Sequence, residues 1–176
     1  PKRDWSSDVC SSDLLARLHA LHSLAGLNSL TDDDLKRSLK DPEAGIREHG
    51  LRLGERRLSG NPELLAAAQG LSEDGSIRVR CQLALSAGFM PKEVAVSLLL
   101  KLLSQAAEDR WMQFAACTAP PEYCLELLSR LLTQRSSVPR LYQELAQAVG
   151  PLDRSSNGQK LLQKLARSEV DSIWDQ

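Results

Sequence analysis

The sequence predicts an all-α chain built from repeated helical hairpins. Three observations lead there. From Leu15 onward apolar residues recur at helical spacing, with Gly, Pro, Asn or Asp punctuation between the periodic stretches. No stretch carries a strand signal. A block of residues also recurs at a fixed period, which marks a repeat array. Composition agrees: Leu and Ala dominate and aromatics are only 4%, which suits a helical array better than a β-sandwich or an enzyme with a deep aromatic pocket. With 42% hydrophobic and 26% charged residues, whole-chain disorder is excluded. The 22 basic and 23 acidic residues give a net charge of −1, which argues against an electrostatic nucleic-acid binder. No apolar run approaches the roughly 20 residues that span a bilayer.

Residues 1–14 stand apart. They are polar, Ser/Asp-rich and without helical periodicity, and no packed structure is expected there. The string Asp4-Trp5-Ser6-Ser7-Asp8-Val9-Cys10-Ser11-Ser12-Asp13-Leu14 resembles the in-frame translation of a short-read sequencing adapter, so Trp5 and Cys10 carry no argument. Without these residues the chain holds 20 basic and 20 acidic side chains, a net charge of zero. The expected organisation is a disordered segment over 1–14 and a helical array over 15–176, cut short at both ends.

The elements follow in order. Leu14, Leu18, Leu21 and Ala25 form one stripe of a first helix, and Asn28 lies near its end. Thr31 offers an N-cap and Asp32, Asp33 and Asp34 an acidic first turn for a short helix carrying Leu35 and Leu39. Asp41-Pro42 opens the next helix, with the stripe Ile46, Gly50, Leu53. Asn61-Pro62-Glu63 repeats that device before Leu64, Leu65, Ala68 and Leu71. Pro91 opens a long helix with Ala95, Leu98, Leu99, Leu102, Leu103 and Ala106 inward. Residues 111–118 form the next helix, with Trp111, Met112 and Phe114 read as core. After Pro120-Pro121, its partner carries Cys124, Leu127, Leu128, Leu131 and Leu132. Leu141, Leu145, Ala148 and Val149 make a further helix stopped by Gly150-Pro151, and Leu161, Leu162, Leu165 and Ala166 a last one.

The repeat is visible in aligned blocks. Asp41, Ile46 and Arg47 each recur 33 residues later as Asp74, Val79 and Arg80. A weaker third copy begins at Asp109, with Trp111 falling 32 residues after Val79. The pattern Asp-Pro-x-x-x-[Ile/Val]-Arg at the head of a helical hairpin of about 33 residues resembles HEAT repeats. The resemblance implies a right-handed α-solenoid of about four to five hairpins. It also implies that Asp41, Asp74 and Asp109 cap the first helices, while Arg47 and Arg80 reach along the stack to a neighbouring repeat's Asp. Met112 stands where the third Arg is expected, so the ladder is expected to stop there.

The segments around Leu18-His19, Ile46-Arg47-Glu48-His49, Val79-Arg80 and Asp109-Arg110-Trp111-Met112 are also similar to the HEAT region of large bacterial envelope proteins. Those proteins are membrane-bound dehydrogenases with a C-terminal c-type haem domain. The resemblance implies a scaffold between a β-propeller and a cytochrome, in the periplasm or cell envelope, with haem c in the missing part of the parent protein. No Cys-x-x-Cys-His occurs here, so no catalytic, cofactor-binding or metal-ligating residue is carried over.

Other chemistry is sparse. Cys117 and Cys124 are seven positions apart, neither a zinc nor a haem spacing. They lie near one helix–helix turn, where a disulfide is conceivable in an oxidising compartment, and small buried hydrophobes are the bland alternative. His19 and His22 share a helix face, and His49 lies in the equivalent helix one repeat later. No carboxylate or Cys is placed to complete a metal site, so surface or packing roles are expected. The run Asp32-Asp33-Asp34 lacks the spacing of a calcium loop. Arg52, Arg56 and Arg57 are accounted for by a helix end. No phosphate-binding or nucleophile-elbow motif is present.

The expected function is therefore a non-catalytic scaffold that binds a protein partner or neighbouring domains of its own chain, with no nucleic acid, no membrane contact and no cofactor of its own. The alternative is a stand-alone cytoplasmic adaptor. A third reading, a DNA glycosylase built on HEAT-like helices, needs a strongly basic concave face and a catalytic carboxylate, and the balanced charge argues against it.

Overall fold

A computed structural model describes the backbone of residues 5–106, 108–133 and 139–149, and within these the side chains except those of 5–12, 139 and 140. The described residues form α1 (Trp5–Gly26), α2 (Asp32–Ser38), α3 (Ala44–Gly54), α4 (Pro62–Gly70), α5 (Ile77–Ser86), α6 (Lys92–Gln105), α7 (Arg110–Cys117), α8 (Pro121–Thr133) and α9 (Pro139–Val149). Short 3₁₀ turns follow α3, α4 and α5. There is no strand among the described residues. The expected helix around Leu161 lies outside them.

The sequence reading is corrected at residues 5–14. The structure carries α1 back to Trp5, so these residues are helical rather than disordered. Extending a helix already nucleated by the Leu/Ala-rich turns downstream adds one hydrogen bond per residue fixed, which offsets the poor propensity of Ser and Asp. Asp13 also pairs with Arg17 one turn on, at 3.3 Å.

Helix ends obey local chemistry. Asn28 ends α1 at φ 53°, and Ser29 N donates to Leu24 O (2.8 Å) and Asn28 N to Ala25 O (3.1 Å). That is a Schellman closure with Asn in the left-handed position. Thr31 and Asp34 form a capping box at the head of α2. Asn61 caps α4 through Leu64 N at 3.0 Å, with Pro62 in the first turn. Pro42 is not in a first turn. Its helix begins two residues later, at Ala44, because Asp41 Oδ1 accepts from Glu43 N (2.9 Å) and holds the chain in a turn.

The chain divides into two compact units, Pro1–Pro91 and Lys92–Gln176. In the first, α3 packs on α1, α2 and α5, and α2 packs on α4. The odd-numbered helices thus share one layer and the even-numbered ones the other. Leu35, Leu51, Leu58, Leu64, Val79 and Leu83 fill the space between them and are excluded from solvent. In the second unit, α6 packs on α7 and α8, and α9 on α7 and α8. Its core is Leu99, Leu102, Met112, Leu127, Leu128, Leu141 and Leu145. Each such Leu stabilises its unit by about 1.5–3 kcal/mol.

The α2–α3 approach depends on Gly50. A Cβ built there would lie 2.1 Å from Ser38 Oγ and 3.0 Å from Ser38 Cβ. Ser38 is buried and its hydroxyl donates to Leu35 O at 2.7 Å, so it has little room to yield. Gly50→Ala should therefore destabilise the chain by about 1–3 kcal/mol in urea unfolding. Adding Ser38→Ala should restore part of that loss, and an additive double variant would show that the two side chains do not compete for one space.

Candidate functional site

The polar chemistry of the described residues lies largely at the junctions between helices. At the junction of α3 and α5, Arg47 Nε donates to Asp74 Oδ2 (2.7 Å) and Nη2 to Asp74 Oδ1 (2.8 Å). Arg47 Nη1 donates to Asp41 O and Pro42 O at 2.7 and 2.8 Å. Asp74 Oδ1 also accepts from Ser76 N at 2.9 Å, and the Asp74 carbonyl accepts from Arg80 Nη1. Asp74 is largely buried, and the Arg47 guanidinium, followed by the Ser76 amide, holds its carboxyl below the usual carboxylate range against the cost of burial. A second rung precedes this one: Arg17 Nη1 lies 2.5 Å from Asp41 Oδ2, joining α1 to the turn before α3.

The residues singled out in the sequence separate into two groups. Asp41 and Asp74 do not cap helices; each lies two residues before the N-cap residue, Glu43 or Ser76, and closes a turn on the N–H two positions on. Glu43 and Ser76 make no side-chain cap, so the aspartate's capacity is divided between that turn and an arginine. Asp109 does cap, accepting from Met112 N at 2.9 Å at the head of α7. Arg47 reaches the neighbouring Asp74. Arg80 goes back to the Asp74 carbonyl, and its buried Nε has no hydrogen-bond partner among the described residues. Arg17 was missed, because no Asp-Pro turn precedes it.

The acidic run is absorbed locally. Asp32 accepts from Arg57 Nη1 and Asn61 Nδ2, both at 2.7 Å, Asp33 pairs with Lys36 (2.9 Å), and Asp34 belongs to the capping box. His22 Nε2 lies 2.9 Å from His49 Nδ1, joining α1 to α3, while His19 is exposed. No group of three or more His, Cys, Asp or Glu that could hold a metal exists among the described residues. Cys117 and Cys124 are not joined in a disulfide. Burial, with Cys124 nearby, pushes the Cys117 thiol up to about 12, and burial, with Glu122 nearby, pushes Cys124 up to about 11.

The aromatic residues of α7 overturn the sequence reading. Met112 is fully buried, but Trp111 is 74% and Phe114 58% exposed. The inward face of α7 is Met112, Gln113, Ala115 and Ala116. Both faces of this helix are apolar, so periodicity alone left the phase open. In the structure α7 packs on α6 and α9, and the small Ala115 and Ala116 are buried with Met112. No family model, curated protein or solved structure matches the chain. No helix among the described residues is long and apolar enough to cross a membrane.

Two outcomes test this geometry. Asp74 contributes stability that is fully present above its unfolded pKa near 4 and is lost as pH falls through its lower folded value. Asp74→Asn should cost about 2–4 kcal/mol at pH 7. The gap to wild type should shrink as pH drops below about 4, measured by urea unfolding at stepped pH; a gap independent of pH would separate the loss from the ion pair. For the cysteines, native iodoacetamide labelling at pH 8 should run about a hundredfold slower at Cys117 and Cys124 than in urea-unfolded chain, read by peptide mass mapping.

Proposed function

We propose that this chain is a HEAT-like array whose role is to bind another protein or a neighbouring domain through exposed side chains, with no chemistry of its own. The observation that carries the binding role is the pair Trp111 and Phe114, spaced i, i+3 on α7 with both rings in solvent. Leaving two large aromatics exposed forgoes several kcal/mol of burial, and tryptophan is enriched among the residues that dominate protein interfaces.

Two features support the repeat architecture. The Arg–Asp rungs Arg17–Asp41 and Arg47–Asp74 join successive first helices in the same way. His22–His49, Lys36–Glu63, Arg47–Asp74 and Glu55–Gln82 all bridge 27 residues and Arg17–Asp41 bridges 24, so bonds between alternate helices recur at similar offsets. In the first reading the array is the scaffold of an envelope dehydrogenase–cytochrome protein. In the second it is a cytoplasmic adaptor.

Trp111→Ala with Phe114→Ala should abolish capture of the partner that wild type retains from its native extract, with the unfolding midpoint unchanged within a few degrees. Equal capture by both proteins would sink the α7 surface. Reading the locus past residue 176 separates the two settings: the scaffold reading expects a Cys-x-x-Cys-His segment in frame, and the adaptor reading expects a nearby stop.

A further inference from the structure

We propose that His22 and His49 form a two-imidazole clamp for a divalent transition-metal ion of the copper(II) or nickel(II) class, stapling α1 to α3. His22 Nε2 and His49 Nδ1 are 2.9 Å apart, and the ring centroids are 4.9 Å apart at an interplanar angle of 77°. An ion held about 2.05 Å from each nitrogen puts two cis nitrogens about 2.9 Å apart when its bonds meet at right angles, as in tetragonal sites. A tetrahedral ion needs about 3.4 Å, so zinc fits less well. The ligand atoms are therefore at the cis edge of the ion before it arrives.

The proton balance is simple. In the neutral pair one ring donates an N–H to the other. Binding requires that ring to change tautomer, leaving both facing nitrogens unprotonated, and no proton is lost. Burial and the neighbouring His22 hold His49 below the usual imidazole range, with Arg52 and Arg78 acting in the same direction and Glu48 against it, which favours the neutral, ligating form. Arg78 is itself held by Glu48 at 2.8 Å, which offsets part of its repulsion toward an incoming cation. On α1, Arg17 is engaged by Asp13 and Asp41. His22 is exposed, which gives the ion a path in and leaves its remaining positions to water.

The test uses the untagged full chain and Ni(II) as the probe at pH 7.5. Ni(II) at about 1 mM should raise the unfolding midpoint by about 2–5 °C, and the rise should shrink as the pH is lowered, because protons compete with the ion for imidazole nitrogens. His22→Gln and His49→Gln should each weaken Ni(II) binding about tenfold or more, while His19→Gln keeps it. Copper(II) electron paramagnetic resonance of the wild type reads the same site without any variant and should show two equatorial imidazole nitrogens. An unchanged midpoint with Ni(II), an equal rise in His22→Gln, or one equatorial nitrogen or none would each overturn the clamp.

Discussion

The junction between Arg47 and Asp74 is the constraint on which the first unit depends. Stripes of Leu and Val supply cohesion, but one methyl-lined ridge slides over another at little cost. A bidentate guanidinium–carboxylate pair has one geometry. Arg47 also donates to the carbonyls of Asp41 and Pro42, and Asp74 also accepts from Ser76 and, through its carbonyl, from Arg80. One junction thereby ties two interhelical turns to α3 and α5. Because nearly every lone pair and N–H is used, the cost of taking these charges out of water is offset. Lysine has no planar fork and only three donors, so it would not reproduce the four bonds that Arg47 makes.

Small residues set the distances that this junction then locks. Gly50 lets α3 lie against Ser38 of α2. Ala115 and Ala116 do the same for α7, with the opposite consequence for their neighbours: helices that close leave Trp111 and Phe114 outside. Close packing and surface exposure on α7 are thus one fact seen from two sides. The same economy appears in the acidic run of α2, where three adjacent carboxylates are divided among a cap and two interhelical or intrahelical cations.

The helices were legible because their signals are local. Thr31, Asn61 and Asp109 cap where their residue types say they should, and the stripes of α6 and α8 bury the leucines that periodicity picks out, except Leu132, which is half-buried. Two things were not legible. The phase of α7 depends on how closely its neighbours come, which no window of one helix contains. The turn role of Asp41 and Asp74 looks like capping in sequence, because both devices use the same carboxylate two or three residues before a backbone N–H. The approach of His49 to α1 was legible from its place in the equivalent helix one repeat on, but which of His19 and His22 it meets rests on the packing of α1 against α3.

The short sequence span of the interhelical bonds has a kinetic meaning. The interhelical bonds of each unit close loops of a few tens of residues, and the longest described, Arg130 to Glu93, spans 37. Loop-closure entropy is therefore paid in small instalments, and contacts this local favour rapid folding of each unit. Within the first unit α3, which packs on α1, α2 and α5, has the most neighbours to lose before its amide hydrogens exchange.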